Sequence, residues 1–225
     1  MLLNDLIKLV FPIYCQVCGN PLVDNEYLFC THCLFEMPRT NNHLEKENKL
    51  TELFYGRSKI EAGTSLFEFK KGSPYRKLLH LLKYQSKISI GYELGKYLGI
   101  NIKESPHFDN IDYVVPVPLH PKKLKKRGYN QSAWIGKGIA DKLESIVDEK
   151  SLIRTVNTKT QTKKNKLERW ENVHNVFRII DNKFDNKHIL LVDDVITTGA
   201  TIEACINALQ SAENVKISIA TIAIV

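Results

Sequence analysis

Leu190–Thr201 reads LLVDDVITTGAT, and the order of residue types along it decides the fold. An apolar run, His188 to Val192, ends in two adjacent carboxylates, Asp193 and Asp194. Small and hydroxylated residues follow, Thr197, Thr198, Gly199, Ala200 and Thr201, and an amphipathic segment runs from Ala200 to Leu209. This succession reads as a buried strand, a turn and a helix start. A helix N-terminus offers unpaired N–H groups and partial positive charge, and glycine lets backbone approach an anion. Threonine hydroxyls add donors for phosphate oxygens. Two carboxylates would repel a bare phosphate, so they suit a different group. Acceptor-only oxygens take vicinal hydroxyls, with a divalent cation nearby to offset the charge. A ribose 5-phosphate fits the whole stretch, and an ordinary buried strand followed by a capped helix is the plainer alternative.

Outward from this stretch, strands are expected over Ala62–Phe69, Ile111–Val117, Ser151–Val156, Val176–Ile180 and Val215–Val225. The last is continuously apolar, as in a strand buried on both faces. Helices are expected over Leu3–Phe11, Tyr75–Tyr84, Ser89–Ile100 and Ser132–Leu143. Ser73 is the expected cap of the second, with Pro74 in its first turn. The residues after His120 read as a basic loop, and Asn130 as a helix cap. Strands alternating with helices give an α/β parallel sheet with helices on both faces. Ligands of such sheets sit at the carboxyl ends of strands. The prolines of Val114–His120 (VVPVPLH) stiffen a turn there, and Arg127 can pair with phosphate.

With 225 residues, 43% of them apolar, the chain suits one ordinary domain plus a small appendage. No run approaches a membrane span, and the apolar start carries Asp5 and Lys8, so no membrane insertion and a cytoplasmic location are expected. Four of five cysteines fall as Cys15-x2-Cys18 and Cys30-x2-Cys33, with Gly19 suited to a knuckle turn. In a cytosolic chain two such pairs are a structural four-thiolate zinc (Zn2+) site, a redox pair being the alternative. His32 between the last two ligands is read as a bystander and Cys205 as a small buried residue. Residues 1–40 are expected as a zinc module, 41–60 as a polar linker and 61–225 as the main domain. From His120 to Trp170 fourteen basic residues face five acidic ones. Lys122, Lys123, Lys125 and Lys126 form one cluster, and Lys159, Lys163, Lys164 and Lys166 another. Such clusters attract a phosphorylated ligand or a single-stranded DNA backbone, unless they are only a solvated face. Tyr129 and Trp170 near them either stack on a base or pack.

LLVDDVITTGAT resembles the phosphoribosyl-pyrophosphate (PRPP) motif of the type I phosphoribosyltransferases. The resemblance implies that Asp193 and Asp194 hold the ribose hydroxyls as the catalytic pair, and that Thr197–Thr201 wraps the 5-phosphate. It also implies that Val117, Pro118 and Arg127 grip pyrophosphate with Mg2+. The cysteines, Leu82-Lys83-Tyr84, VVPVPLH, RGYNQS, Arg154 with Thr160-Gln161, and LERWEN with Arg169 and Asn172 are similar to a narrower group, the ComF-type competence proteins. Those join a four-cysteine zinc module to a phosphoribosyltransferase-like domain. The resemblance implies a role in DNA uptake and natural transformation, with a helicase as a protein partner. Two functions follow: transfer of ribose 5-phosphate from PRPP, with Lys159–Lys166 closing as a lid, or non-catalytic single-stranded DNA binding with PRPP only a ligand.

Overall fold

The computed structural model describes residues 12–70, 72–155 and 176–225. The helix expected over Leu3–Phe11 lies outside the described residues, as do Lys159, Thr160, Gln161, Lys163, Lys164, Lys166, Arg169, Trp170 and Asn172.

Five strands form one sheet: β1 (Gly63–Glu68), β2 (Tyr113–Pro116), β3 (Ile146–Val147), β6 (His188–Ile196) and β7 (Lys216–Ile224). Their spatial order is β1-β7-β6-β2-β3, and every neighbouring pair is parallel. The apolar run of β6 is therefore central, flanked by β7 and β2, and its side chains alternate between two cores. Leu190 and Val192 pack on one side with Val114 and Ala220. Ile189 and Leu191 pack on the other with Val115 and Ile219. The strands expected at Ser151–Val156 and Val176–Ile180 do not join this sheet. They form β4 (Leu152–Arg154) and β5 (Phe177–Ile179), a separate antiparallel ribbon.

Helices cover both faces, as the alternating pattern requires. On one lie α3 (Arg76–Tyr84), α4 (Ile88–Glu104) and α6 (Gln131–Leu143), whose Leu82, Leu94 and Ile135 share a core. On the other lies α7 (Ala200–Leu209), through Ile202, Cys205 and Ile206. Two shorter helices precede these: α1 (Thr31–Phe35), and α2 (Lys49–Glu52) capped by the Asn48 side chain. The segment read as a linker is packed against the sheet: Leu50 and Phe54 are buried in the second core, and Asn48 Nδ2 donates to the Gly63 carbonyl at 3.0 Å.

Two local expectations change. Ser73 does not cap α3: its Oγ is buried without a partner, and the helix begins after a tight turn in which Arg76 N–H donates to the Ser73 carbonyl. The basic loop is helical, as α5 (Pro121–Arg127). His120 Nδ1 accepts from Lys122 N–H at 3.1 Å, Pro121 fills the first turn, and Gly128 closes the end at φ 81°. Lys125, Lys126 and Arg127 then sit in the last turn, where helix carbonyls favour cations.

α4 and α6 approach more closely than ordinary side chains allow. A Cβ on Gly138 would fall well inside the van der Waals radius of the Tyr92 carbonyl oxygen, and one on Gly95 would do the same to that of Ile135. This contact sets where α6 begins, and hence where Asn130 and Ser132 stand. Gly138→Ala should cost roughly 1–3 kcal/mol or more of stability, read as a lowered urea midpoint. An unchanged midpoint would mean that the helices are not in such contact.

Candidate functional site

β6 does not stop at the acidic pair. Its pairing with β7 continues to Ile196 opposite Ile224, so both carboxylates are carried by ordered strand at the carboxyl edge of the sheet. Asp193 Oδ1 accepts from Ser132 Oγ at 2.9 Å and from the Asp194 backbone N–H at 2.8 Å. Asp194 Oδ2 pairs with Lys83 Nζ at 2.9 Å, the two side chains being 13% and 27% exposed. Burial, and next the Asp194 charge, push Asp193 up to about 7. The Ser132 hydroxyl, the Asp194 N–H and Lys83 offset only part of this.

The threonine loop lies beside the pair. Asp193, Thr197, Thr198, Gly199, Ala200 and Thr201 all line one small cavity of about 60 Å³ at the start of α7. Gly199 caps α7 at φ 75°, a backbone shape glycine adopts without strain, and Phe54 packs where its Cβ would be. Arg57 clamps the loop from outside: it pairs with Glu203 on α7 and donates to the Thr198 carbonyl at 3.1 Å. The turn after β2 is tied in by Val117, whose N–H donates to the Val192 carbonyl at 2.8 Å and whose own carbonyl accepts from Asn130 Nδ2 at 3.0 Å. Asn130 also caps α6, accepting from Ser132 N–H at 3.2 Å. One side chain thus fixes the Val117–Pro118 turn and the serine that holds Asp193.

Arg127 stands 5.7 Å from the Tyr84 ring. With Lys83, Ser86, Lys123 and Lys126 these residues line a cavity of about 330 Å³. Lys122 and Lys125 are exposed on α5 and do not line it. Lys83 therefore borders both the basic cavity and the acidic pair. Lys83, Ser132, Arg57 and Phe54 join this region although the sequence motifs assign them no role. For the first two the signal lay in the motifs LKY and RGYNQS; for Arg57 and Phe54 there was none.

The four N-terminal cysteines come together. Their Sγ atoms all lie within 4.8 Å of one another, Cys18 and Cys30 at 3.7 Å. A tetrahedral ion with metal–sulfur bonds of about 2.3 Å needs sulfurs about 3.8 Å apart, so the set fits one such ion. Gly19, at φ 81°, turns the chain so that its N–H returns to the Cys15 carbonyl at 3.0 Å. Burial opposes ionisation of Cys15, yet N–H groups of Cys18, Cys30 and Val17 outweigh it and bring the thiol down to about 6. Cys33 is pushed up by burial and by its sulfur neighbours, so a full set of thiolates calls for a cation among them. The module rests on α3 and α4: Tyr75 Oη donates to the Cys33 carbonyl at 2.6 Å, and Phe29 meets Tyr97. Cys205 is buried in the second core, where burial raises its thiol.

Residues 134–224 match the Phosphoribosyl transferase domain family. DNA utilization protein YhgH of Escherichia coli (strain K12) is 30% identical over 132 residues, 57% of this chain and 58% of that protein. Competence protein F of Haemophilus influenzae is 27% identical over 198 residues, covering 85% of this chain and 76% of that one. Competence protein ComFC of Bacillus subtilis is 36% identical over 92 residues, 40% of this chain and 34% of that protein. The chain is similar to competence and DNA-utilization proteins of the ComF type. The chain joins a four-cysteine cluster to a phosphoribosyltransferase-like parallel sheet. The chain spans 58% of the first of these relatives. Among the described residues no helix is long and apolar enough to cross a membrane.

The raised Asp193 has a consequence for stability. The folded chain keeps a proton there that the unfolded chain has lost, so stability falls as pH rises from the usual carboxylate range to about 7. Asp193→Asn removes that penalty while keeping an oxygen for Ser132. Its melting midpoint should exceed the parent's by about 3–6 °C at about pH 8 and converge with it below about pH 4. Equal midpoints at the higher pH would rule out a destabilised pair.

Proposed function

We propose that this ComF-type protein is a cytoplasmic PRPP-binding protein of DNA uptake, and that its site supports transfer of ribose 5-phosphate to an acceptor with release of pyrophosphate. One observation carries the reading: Asp193 and Asp194 stand on ordered strand beside the Thr197–Thr201 loop at a helix N-terminus, opposite the Val117–Pro118 turn. Acceptor oxygens that suit a ribose diol and donors that suit a 5-phosphate are side by side there, which supports the reading. In the transfer, the bond from the anomeric carbon to pyrophosphate breaks as one to the acceptor forms. Asp193 and Asp194 hold the diol and stabilise positive charge developing on the ring. Arg127, Lys123 and Lys126 face the leaving pyrophosphate. Mg2+ bound with PRPP would supply further neutralisation of the pyrophosphate charge. The competence and DNA-utilization names of the relatives support the biological setting.

Titration calorimetry with PRPP and Mg2+ tests this. The parent should bind, and Asp193→Asn with Asp194→Asn should weaken binding at least ~10-fold, each lost charged hydrogen bond being worth about 1.5–3 kcal/mol. Unchanged affinity would sink the site assignment.

We read the cysteine cluster as a structural zinc site with Cys15, Cys18, Cys30 and Cys33 as its four ligands, leaving no open position for substrate. Treatment with a strong chelator should release one zinc per chain and lower the melting midpoint by at least ~5 °C, with recovery on adding zinc back. Retention of the midpoint in metal-free protein would overturn this. The module's exposed Tyr27 and Phe35 give a surface for a protein partner such as an uptake helicase.

The non-catalytic reading, single-stranded DNA binding, is favoured by α5. Among the described residues its Lys122, Lys123, Lys125 and Lys126 make no ion pair, so their charge is free for phosphates.

A further inference from the structure

Lys83 belongs to two unlike environments. Its Nζ holds Asp194 Oδ2 at 2.9 Å, against a carboxylate that is only 13% exposed. The same side chain lines the cavity of about 330 Å³ whose other charged walls are Lys123, Lys126 and Arg127. No carboxylate lines that cavity. Among the described residues none of those three cations has an ion-pair partner.

The acid pair has few acceptor oxygens to spare. Asp193 Oδ1 takes two hydrogen bonds, from Ser132 Oγ and the Asp194 N–H, and Asp194 Oδ2 takes the ammonium. A diol that used Asp194 Oδ2 would have to displace Lys83. The displaced ammonium would turn into the basic cavity, where it meets three like charges and is repelled. An anion in the cavity reverses the sign of that encounter, and one with several negative charges attracts the ammonium more strongly than the single charge of Asp194. Lysine suits such an exchange: it carries a compact charge with three donors on a flexible stem, so it can change oxygen partners without any shift of α3.

We propose that Lys83 is a switch between the two halves of the site: held by Asp194 in this structure, it moves to an anion in the basic cavity and thereby opens the acid pair to a diol. Loss of the ammonium leaves more negative charge on the pair, which the hydroxyl donors of the diol take up in part. The site therefore selects a ribose with an anionic group at each end over one with a single 5-phosphate. Lys83 is then a specificity-determining residue. The inference deepens the PRPP reading above and rests on it.

Ribose 5-phosphate is titrated into the protein by calorimetry, without added divalent cation, first alone and then at saturating inorganic pyrophosphate. In the parent, pyrophosphate should tighten ribose 5-phosphate binding about 5-fold or more. Pyrophosphate should still bind Lys83→Met, through Lys123, Lys126 and Arg127. There it should leave ribose 5-phosphate affinity unchanged or weakened, because the two anions repel with no shared cation between them. Equal affinities with and without pyrophosphate in the parent, or tightening that persists in Lys83→Met, would overturn the switch and leave the PRPP reading standing. If neither ligand binds the parent, the switch fails, and the PRPP titration above decides separately whether the reading beneath it fails too. Lys83→Gln, polar at a side chain 27% exposed, is measured in parallel and decides if Lys83→Met does not fold.

Discussion

Two carboxylates placed side by side at the end of a strand buried on both faces repel each other and lose much of their water, and the fold around them is arranged to tolerate this. β6 is held between β7 and β2, so the backbone carrying Asp193 and Asp194 cannot relax outward. One carboxylate is held by hydrogen bonds from Ser132 and from the backbone, the other by an ion pair with Lys83. The compensation is incomplete, which leaves Asp193 with a raised affinity for its proton. A site finished to maximum stability would have a second cation beside the pair; this one leaves acceptor capacity unused.

Close backbone packing extends that constraint through the rest of the sheet. Because α4 and α6 touch through glycines, α6 is pinned along its length, and its first turn brings Ser132 to Asp193 and Asn130 to the turn after β2. On the opposite face Phe54 and Arg57 hold the threonine loop against α7. The loop between helix and strand therefore owes its shape to a segment whose composition, rich in Asn, Glu and Lys, suggested only a spacer.

The sheet and the strand-to-helix turn after β6 were legible because apolar runs and glycine have local meanings. β7 reads as doubly buried from VKISIATIAIV alone, and Asn130 reads as a cap that the hydrogen bonds bear out. What was not legible depends on distant partners. The antiparallel pairing of β4 with β5 is decided by where the chain returns, not by the composition of either strand. Arg57 and Phe54 acquire roles only when α7 lies against them. α5 is a different kind of miss: Pro121 and Gly128 bracket it as start and stop signals do, but its five cations suggested a loop.

α3 has an unusual pair of obligations for so short an element. Its N-terminal flank, Tyr75, is bonded to the carbonyl of Cys33 in the four-cysteine cluster, and near its other end Lys83 grips one of the two acids. Nine helical residues span only about 14 Å, and a helix transmits displacement along its axis with little compliance. Tyr75 and Lys83 thus tie the cysteine cluster and the acidic pair to the two ends of one stiff rod, so neither can shift without the other feeling it.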